Sequence, residues 1–195
     1  GGENAFLAGN VLRVVDTKAL PSPSLRVTRY ELGDRWVGFV RQDLAAGLGA
    51  YVRQEDARGT FVPRSARGDA HTQADYVWLD FELKDSEGWG GRRIALEGDF
   101  NQYRPGPEHV LRFDEGRGAY VGRVLVKQGY LEYRFRDLNA GADGLDWTEG
   151  SHSRSANQYT AIVYARLWGE RYDRAIAFRS VDVTDGAQLR MELGQ

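Results

Sequence analysis

Tyr130-Leu131-Glu132-Tyr133-Arg134-Phe135-Arg136 decides the fold. Leu131, Tyr133 and Phe135 alternate with Glu132, Arg134 and Arg136. A period of two is the mark of a β-strand with one apolar face and one polar face, and the polar face is expected to be wet. Asp75–Leu83 repeats the pattern, with Val77, Leu79, Phe81 and Leu83 on one side. Further strand candidates are Val11–Val15, Leu25–Leu32, Trp36–Gln42, Gly49–Gln54, Arg92–Glu97, Val110–Phe113, Ala119–Val126, Gln158–Arg166 and Arg174–Val183. Turn residues fill the gaps, among them Asp34, Gly59, Gly88-Trp89-Gly90-Gly91, Pro105-Gly106-Pro107 and Glu115-Gly116-Arg117-Gly118. Only Arg41–Leu48 has helical character. Short strands joined by glycine turns predict an all-β protein, an immunoglobulin-like antiparallel β-sandwich.

The polar, small-residue stretch Arg64–Ala74 reads as a boundary or an exposed connection. Residues 73–195 then supply the strands of one immunoglobulin-like sandwich. Residues 1–72 form a smaller β-rich segment, too thin for a core of its own and expected to finish a preceding sandwich.

Composition narrows the function. The chain has 195 residues, 42% hydrophobic, which is enough for a core. Twenty-six basic residues face 28 acidic ones, so no overall field draws it to nucleic acid or anionic lipid. Lys18, Lys84 and Lys127 are the only lysines; the other cations are arginines. That bias fits recognition of phosphate or carboxylate, or simply a GC-rich genome, and the scatter of the arginines along the chain favours the second. The absence of cysteine excludes disulfides, zinc–thiolate sites and thiol nucleophiles. The longest apolar run, Leu44–Val52, is short and broken by glycine, so no membrane-spanning helix is expected. No stretch reads as a signal peptide.

Enzyme signatures are missing. His71, His109 and His152 fall in no metal-ligand spacing and read as surface loop residues. Ser151-His152-Ser153 is not a nucleophile elbow. The acidic stretch Asp137–Glu149 invites a calcium reading, but an EF-hand loop starting at Asp137 would find Ala142 at its glycine position and Thr148 at its glutamate position. A solvated loop is the default there. Glu97 and Asp99 end a strand and enter a turn, which is not the layout of a glycosidase pair. Gly47-Leu48-Gly49 lacks the rest of either nucleotide fingerprint. The reading is therefore non-enzymatic, with no cofactor and no metal.

The aromatic residues remain. Trp89 and Trp147 sit in glycine-rich or acidic loops, where they either stack on a ligand or partner or fold back over the sandwich ends. Trp36 and Trp78 lie within strands and are expected to pack on sheet neighbours. Tyr103-Arg104 follows the turn Gly98-Asp99-Phe100-Asn101, where Asp99 and Asn101 can bond the turn backbone.

Two resemblances emerge from these motifs. Gly98-Asp99-Phe100-Asn101, followed by Gly129-Tyr130-Leu131-Glu132-Tyr133-Arg134-Phe135, resembles the early-set sandwiches, which include starch- and glycogen-binding modules. A longer ordered series runs through Phe6-Leu7-Ala8-Gly9-Asn10, Ala74-Asp75-Tyr76-Val77, Val126-Lys127-Gln128-Gly129-Tyr130, Asn157-Gln158-Tyr159 and Arg171-Tyr172-Asp173. It resembles the C-terminal half of the type IX secretion system plug protein family of Bacteroidetes-type bacteria, long catalogued as a family of unknown function. That resemblance implies a non-enzymatic periplasmic protein associated with the outer membrane. Its partner would be the translocon barrel, which it would block. Trp89, Tyr103, Arg104 and Trp147 would then be the partner contacts. Arg171-Tyr172-Asp173 could instead pin a corner between two late strands. The first resemblance implies α-glucan as the ligand instead.

Overall fold

The computed structural model describes residues 9–45, 59–85, 88, 91–140, 148–150, 157–169 and 171–183. The chain divides into two compact units, Val11–Gly150 and a second made of Gly1–Asn10 with Ser151–Gln195.

The first unit is an all-β sandwich. Its smaller sheet is built on β10 (Gly129–Asp137), the strand that carries the alternating stretch. Around it lie β1 (Arg13–Asp16), β5 (Val62–Pro63) and β7 (Ile94–Gly98). Tyr130 pairs with both Asp16 and Val62, and Tyr133 with both Arg13 and Gly98. Hence β1 follows one edge of β10, while β5 and β7 succeed one another along the other. The larger sheet runs in the order β2 (Val27–Leu32), β3 (Trp36–Val40), β6 (Tyr76–Lys84), β9 (Ala119–Lys127) and β8 (Arg112–Asp114). The short β4 (Asp43–Leu44) continues along the β3 edge of β6. Both β3 and β4 run parallel to β6, so this sheet is mixed where the sequence predicted antiparallel strands throughout.

The inward residues come from the alternation. Leu79, Leu83 and Tyr120 of one layer and Leu96, Leu131 and Phe135 of the other are sealed in a single core. Burial of such side chains stabilises the fold by about 1.5–3 kcal/mol each. Half-buried Trp36 packs against the same core, as expected from its place in a strand. The polar face of β10 is not wet. Glu132 is buried and accepts the Gly59 N–H. Arg134 and Arg136 close on the carboxylate of Glu97, at 2.9 and 3.0 Å, and that glutamate is wholly buried. Arg134 lies directly across the ladder from Glu97, and Arg136 lies diagonally. Alternation in sequence records polarity; exposure depends on what the neighbouring strand supplies.

The boundary expected near residue 72 separates stretches that the sheets join. β1 and β5 pair with β10, and β3 and β4 pair with β6. Residues 11–72 thus add strands to both layers, and Val15, Leu20, Val27 and Val40 join one core with residues from beyond 73. Within the connecting stretch, Ala70–Gln73 forms one helical turn, α1. Asp69 caps it by accepting from the His71 N–H at 3.1 Å and the Thr72 hydroxyl at 3.0 Å. Those bonds hold its carboxyl below the ordinary range. Asp43–Leu44, inside the stretch with helical character, is a strand; the strand candidate Gly49–Gln54 lies outside the described residues.

A buried ionic cluster locks the layers together. The Arg13 guanidinium donates to Asp43 at 2.9 Å, to both carboxylate oxygens of Glu149 at 3.1 and 3.0 Å, and to the carbonyls of Leu44 and Thr148. Asp43 also takes the Arg26 guanidinium and, at 2.7 Å, the hydroxyl of Tyr133. Glu149 accepts the Phe135 N–H at 2.7 Å. Gln128-Gly129 makes a second lock. The buried Gln128 amide donates to the carbonyls of Thr17 and Lys18, and Gly129 exchanges hydrogen bonds with Thr17. A Cβ at Gly129 would stand 2.7 Å from the Phe61 ring.

Three outcomes follow for stability. Asp43→Ala leaves two guanidinia facing each other and is expected to cost about 3–5 kcal/mol in urea unfolding. Gly129→Ala is expected to cost about 1–3 kcal/mol by overpacking. Burial pushes the Glu149 carboxyl above the ordinary glutamate range, against the opposing pull of Arg13 and the Phe135 N–H. The folded chain therefore binds that proton more tightly than the unfolded chain. This contribution to stability is complete below the unfolded glutamate pKa and is lost as pH rises through the folded value. With Glu149→Gln the loss disappears, so the Tm of the variant should gain on wild type as pH rises above the ordinary glutamate range.

Candidate functional site

The outward side of the larger sheet is a concavity of about 650 Å³. One rung of the sheet crosses it. Arg29 stands opposite Phe39, Phe39 opposite Asp80, and Asp80 opposite Arg123. The period of two that sends Leu79, Phe81 and Leu83 inward turns Asp80 and Glu82 outward. The Arg29 guanidinium lies over the Phe39 ring at 3.5 Å and also reaches Glu31 at 3.1 Å. Arg123 meets both oxygens of Asp80, at 2.6 and 2.8 Å, and this fork holds its guanidinium more firmly protonated than usual.

A second rung brings Glu82 opposite Val121 and Val121 opposite Arg112. Glu82 accepts from Gln42 and, at 3.3 Å, from Arg117. Asp114 lies 3.6 Å from Arg112 and accepts the Arg117 N–H. Arg41 also lines the concavity, and among the described residues its guanidinium has no ion-pair partner. Five guanidinia thus meet four carboxylates, Glu31, Asp80, Glu82 and Asp114. Each carboxylate is already held by an arginine, so the face offers fixed hydrogen-bond donors and a small positive surplus.

The residues expected from sequence lie elsewhere. Trp89 and Trp147 are outside the described residues. Tyr103 is half-buried; its hydroxyl donates to the Gly59 carbonyl at 2.7 Å and its ring takes the Arg134 guanidinium at 5.3 Å. It therefore pins the turn after β7 against residue 59. Arg104 is exposed beside it, and its backbone N–H bonds Asn101. As expected, Asn101 bonds the turn backbone, accepting the Gly98 N–H and donating to the Leu96 carbonyl. Asp137 is held by Arg92 at 2.6 Å and caps the Asn139 N–H, while Glu149 belongs to the Arg13 cluster, so the two ends of the acidic stretch face arginines. Among the described residues no three acidic or histidine side chains gather as a metal site would require. The concave face escaped sequence reading because its arginines come from three separate segments, β2, the end of β3 and the β8–β9 hairpin. Only the pairing register collects them; Asp80 and Glu82, alternating on a strong strand, were the available signal.

No family model matches the chain, and no curated protein matches it. Among solved structures, a hypothetical protein from Parabacteroides merdae shares the fold with a TM-score of 0.82 and 24% sequence identity. The match covers 91% of this chain and 46% of that protein, so the chain spans less than half of its relative's length.

Because Arg123 is exposed and Asp80 only half-buried, Arg123→Ala is expected to cost less than about 1 kcal/mol. Thermal unfolding checks this, and a near-unchanged Tm qualifies such variants for binding work.

Proposed function

We propose that the chain is a non-enzymatic, periplasmic docking component of the type IX secretion machinery. In this reading it is a plug-type partner of the outer-membrane translocon barrel and meets that partner through the concave arginine face. The observation that carries the reading is the set of five guanidinia gathered on one open sheet face. Arginine is enriched where proteins meet, because one planar group makes several hydrogen bonds while its stem covers apolar surface. Salt bridges to Asp80, Glu82 and Asp114 hold Arg123, Arg117 and Arg112 in place before any partner arrives, which lowers the ordering cost of association. The ordered motif series that resembles the plug family supports the same reading. Gln128-Gly129 within it has a structural task, joining β9 to β10 under the Thr17 loop.

Capture from detergent extracts of the native organism tests it. Immobilised wild-type chain should retain the translocon barrel protein, identified by mass spectrometry. Arg41→Glu with Arg112→Glu should lose it while keeping the wild-type Tm. Absence of the barrel protein from the wild-type capture overturns the reading. An α-glucan would need an open aromatic ring beside the polar groups, and Arg29 covers Phe39. Maltoheptaose at millimolar concentration is therefore expected to leave tryptophan fluorescence unchanged.

A further inference from the structure

On the concave face the acceptors are saturated and the donors are in excess. Of the three carboxylates that line it, Asp80 gives both oxygens to Arg123, at 2.6 and 2.8 Å. Glu82 gives one oxygen to Gln42 and the other to Arg117 at 3.3 Å. Asp114 accepts the Arg117 N–H with one oxygen at 3.1 Å and faces Arg112 with the other at 3.6 Å. A guanidinium carries five N–H donors and no acceptor, so these contacts leave most of the arginine donors to water. Arg41 has no ion-pair partner among the described residues, and Arg112 makes only long contacts, to Asp114 and, at 3.5 Å, to the Phe113 carbonyl. Both side chains are exposed. A ligand that brings oxyanions converts such donors into charge-assisted hydrogen bonds, which are about twice as strong as neutral ones.

The two least engaged arginines set the spacing of those anions. Arg41 follows directly on β3, and Arg112 opens β8. Strands β6 and β9 lie between them. Three steps of roughly 4.8 Å from strand to strand put their backbones about 14 Å apart. Between them stands half-buried Val121, opposite both Glu82 and Arg112. An extended peptide advances roughly 3.4 Å per residue, so about four residues cover that span, and its first, third and fifth side chains share one face. Acidic side chains at the two ends reach the two open guanidinia. The middle side chain lies over Val121 beside Glu82, where a further carboxylate is repelled and an uncharged group is not. Each open guanidinium stands alone, which suits one carboxylate per fork; a phosphate dianion calls for several cations at one point.

We propose that the concave arginine face takes an extended acidic segment of a protein partner, with carboxylates four residues apart on Arg112 and Arg41 and an uncharged side chain between them over Val121. This rests on the reading of the face as a docking surface and adds the chemistry that the partner presents.

Fluorescence anisotropy on the 195-residue chain tests it. The probe is a labelled peptide in which glutamate recurs at every fourth residue and leucine stands midway (three Glu-Ser-Leu-Ser repeats closed by Glu). It should bind, and its affinity should fall about tenfold between about 20 and about 200 mM NaCl, since exposed ion pairs are screened. Arg41→Ala with Arg112→Ala should weaken binding about tenfold at wild-type Tm. Arg67→Ala, which removes an exposed arginine off this face, should leave it unchanged. Absence of binding overturns the inference, as does equal binding of the peptide with glutamine in place of glutamate, or an unchanged affinity in the double variant. Tighter binding of an oligothymidylate of equal charge, or displacement of the peptide by an equal concentration of inorganic phosphate, assigns the face to phosphate and overturns it as well. Capture of the barrel protein is read separately. Barrel retained without peptide binding removes this inference and leaves the secretion reading standing; peptide binding without the barrel does the reverse.

Discussion

All three nitrogens of the Arg13 guanidinium are engaged, and the groups they hold come from two distant parts of the chain. Asp43 and Leu44 belong to the larger sheet, while Thr148 and Glu149 lie beside β10 of the smaller one. A buried ion pair of this kind adds little net stability over a well-packed apolar core, because both charges lose their hydration. Its effect is on arrangement. Asp43 without Arg13 and Arg26, or Arg13 without Asp43 and Glu149, is a charge stranded in the interior. Only the register that brings them together is tolerable. The Tyr133 hydroxyl, whose ionisation burial drives well above the ordinary range, stays neutral and serves as a donor to Asp43.

The two layers use the same chemistry to opposite ends. On the smaller sheet, Arg134 and Arg136 enclose Glu97 until it has no contact with water. On the larger sheet, Arg123 and Asp80 form an equally well-aligned fork with their side chains 51% and 28% exposed. The first arrangement belongs to the fold. The second leaves donors at the surface, fixed in direction and still hydrated, which is the condition for contact with another polar surface. Burial therefore separates the arginines that hold this molecule together from those available to something else.

The strands themselves were legible because backbone geometry writes a local period. Tyr130–Arg136, Asp75–Leu83 and Arg174–Val183 all stand within a residue or two of their expected ends. What the period does not carry is pairing. Glu97 is closed by residues 37 and 39 positions away, and nothing near it announces them. Tyr103 looked like an exposed anchor in a turn; its role as a pin depends on Gly59, which sequence adjacency does not bring near. The arginines looked scattered because they are scattered in sequence, and the concave face exists only once β2, β3, β6, β9 and β8 lie side by side. Of Arg171-Tyr172-Asp173, expected to pin a corner between the late strands, Asp173 pairs with Arg166 rather than Arg171, and Tyr172 is exposed.

The Arg13–Glu149 contact spans 136 residues. A ribosome releasing this stretch presents β1 early, with a cation whose set of acceptors is completed only when nearly the whole sandwich has been made. Asp43, emerging soon after, can meet Arg13 and Arg26 early, but Tyr133 and Glu149 arrive last. Closure of the smaller sheet is thus postponed to the end of synthesis of this unit, since β1 and β5 have no ladder to join before β10 appears. Distant pairing of this sort slows folding and prolongs the lifetime of unpaired strand edges. A nascent chain with that itinerary depends on being kept from its neighbours until residue 149 is free.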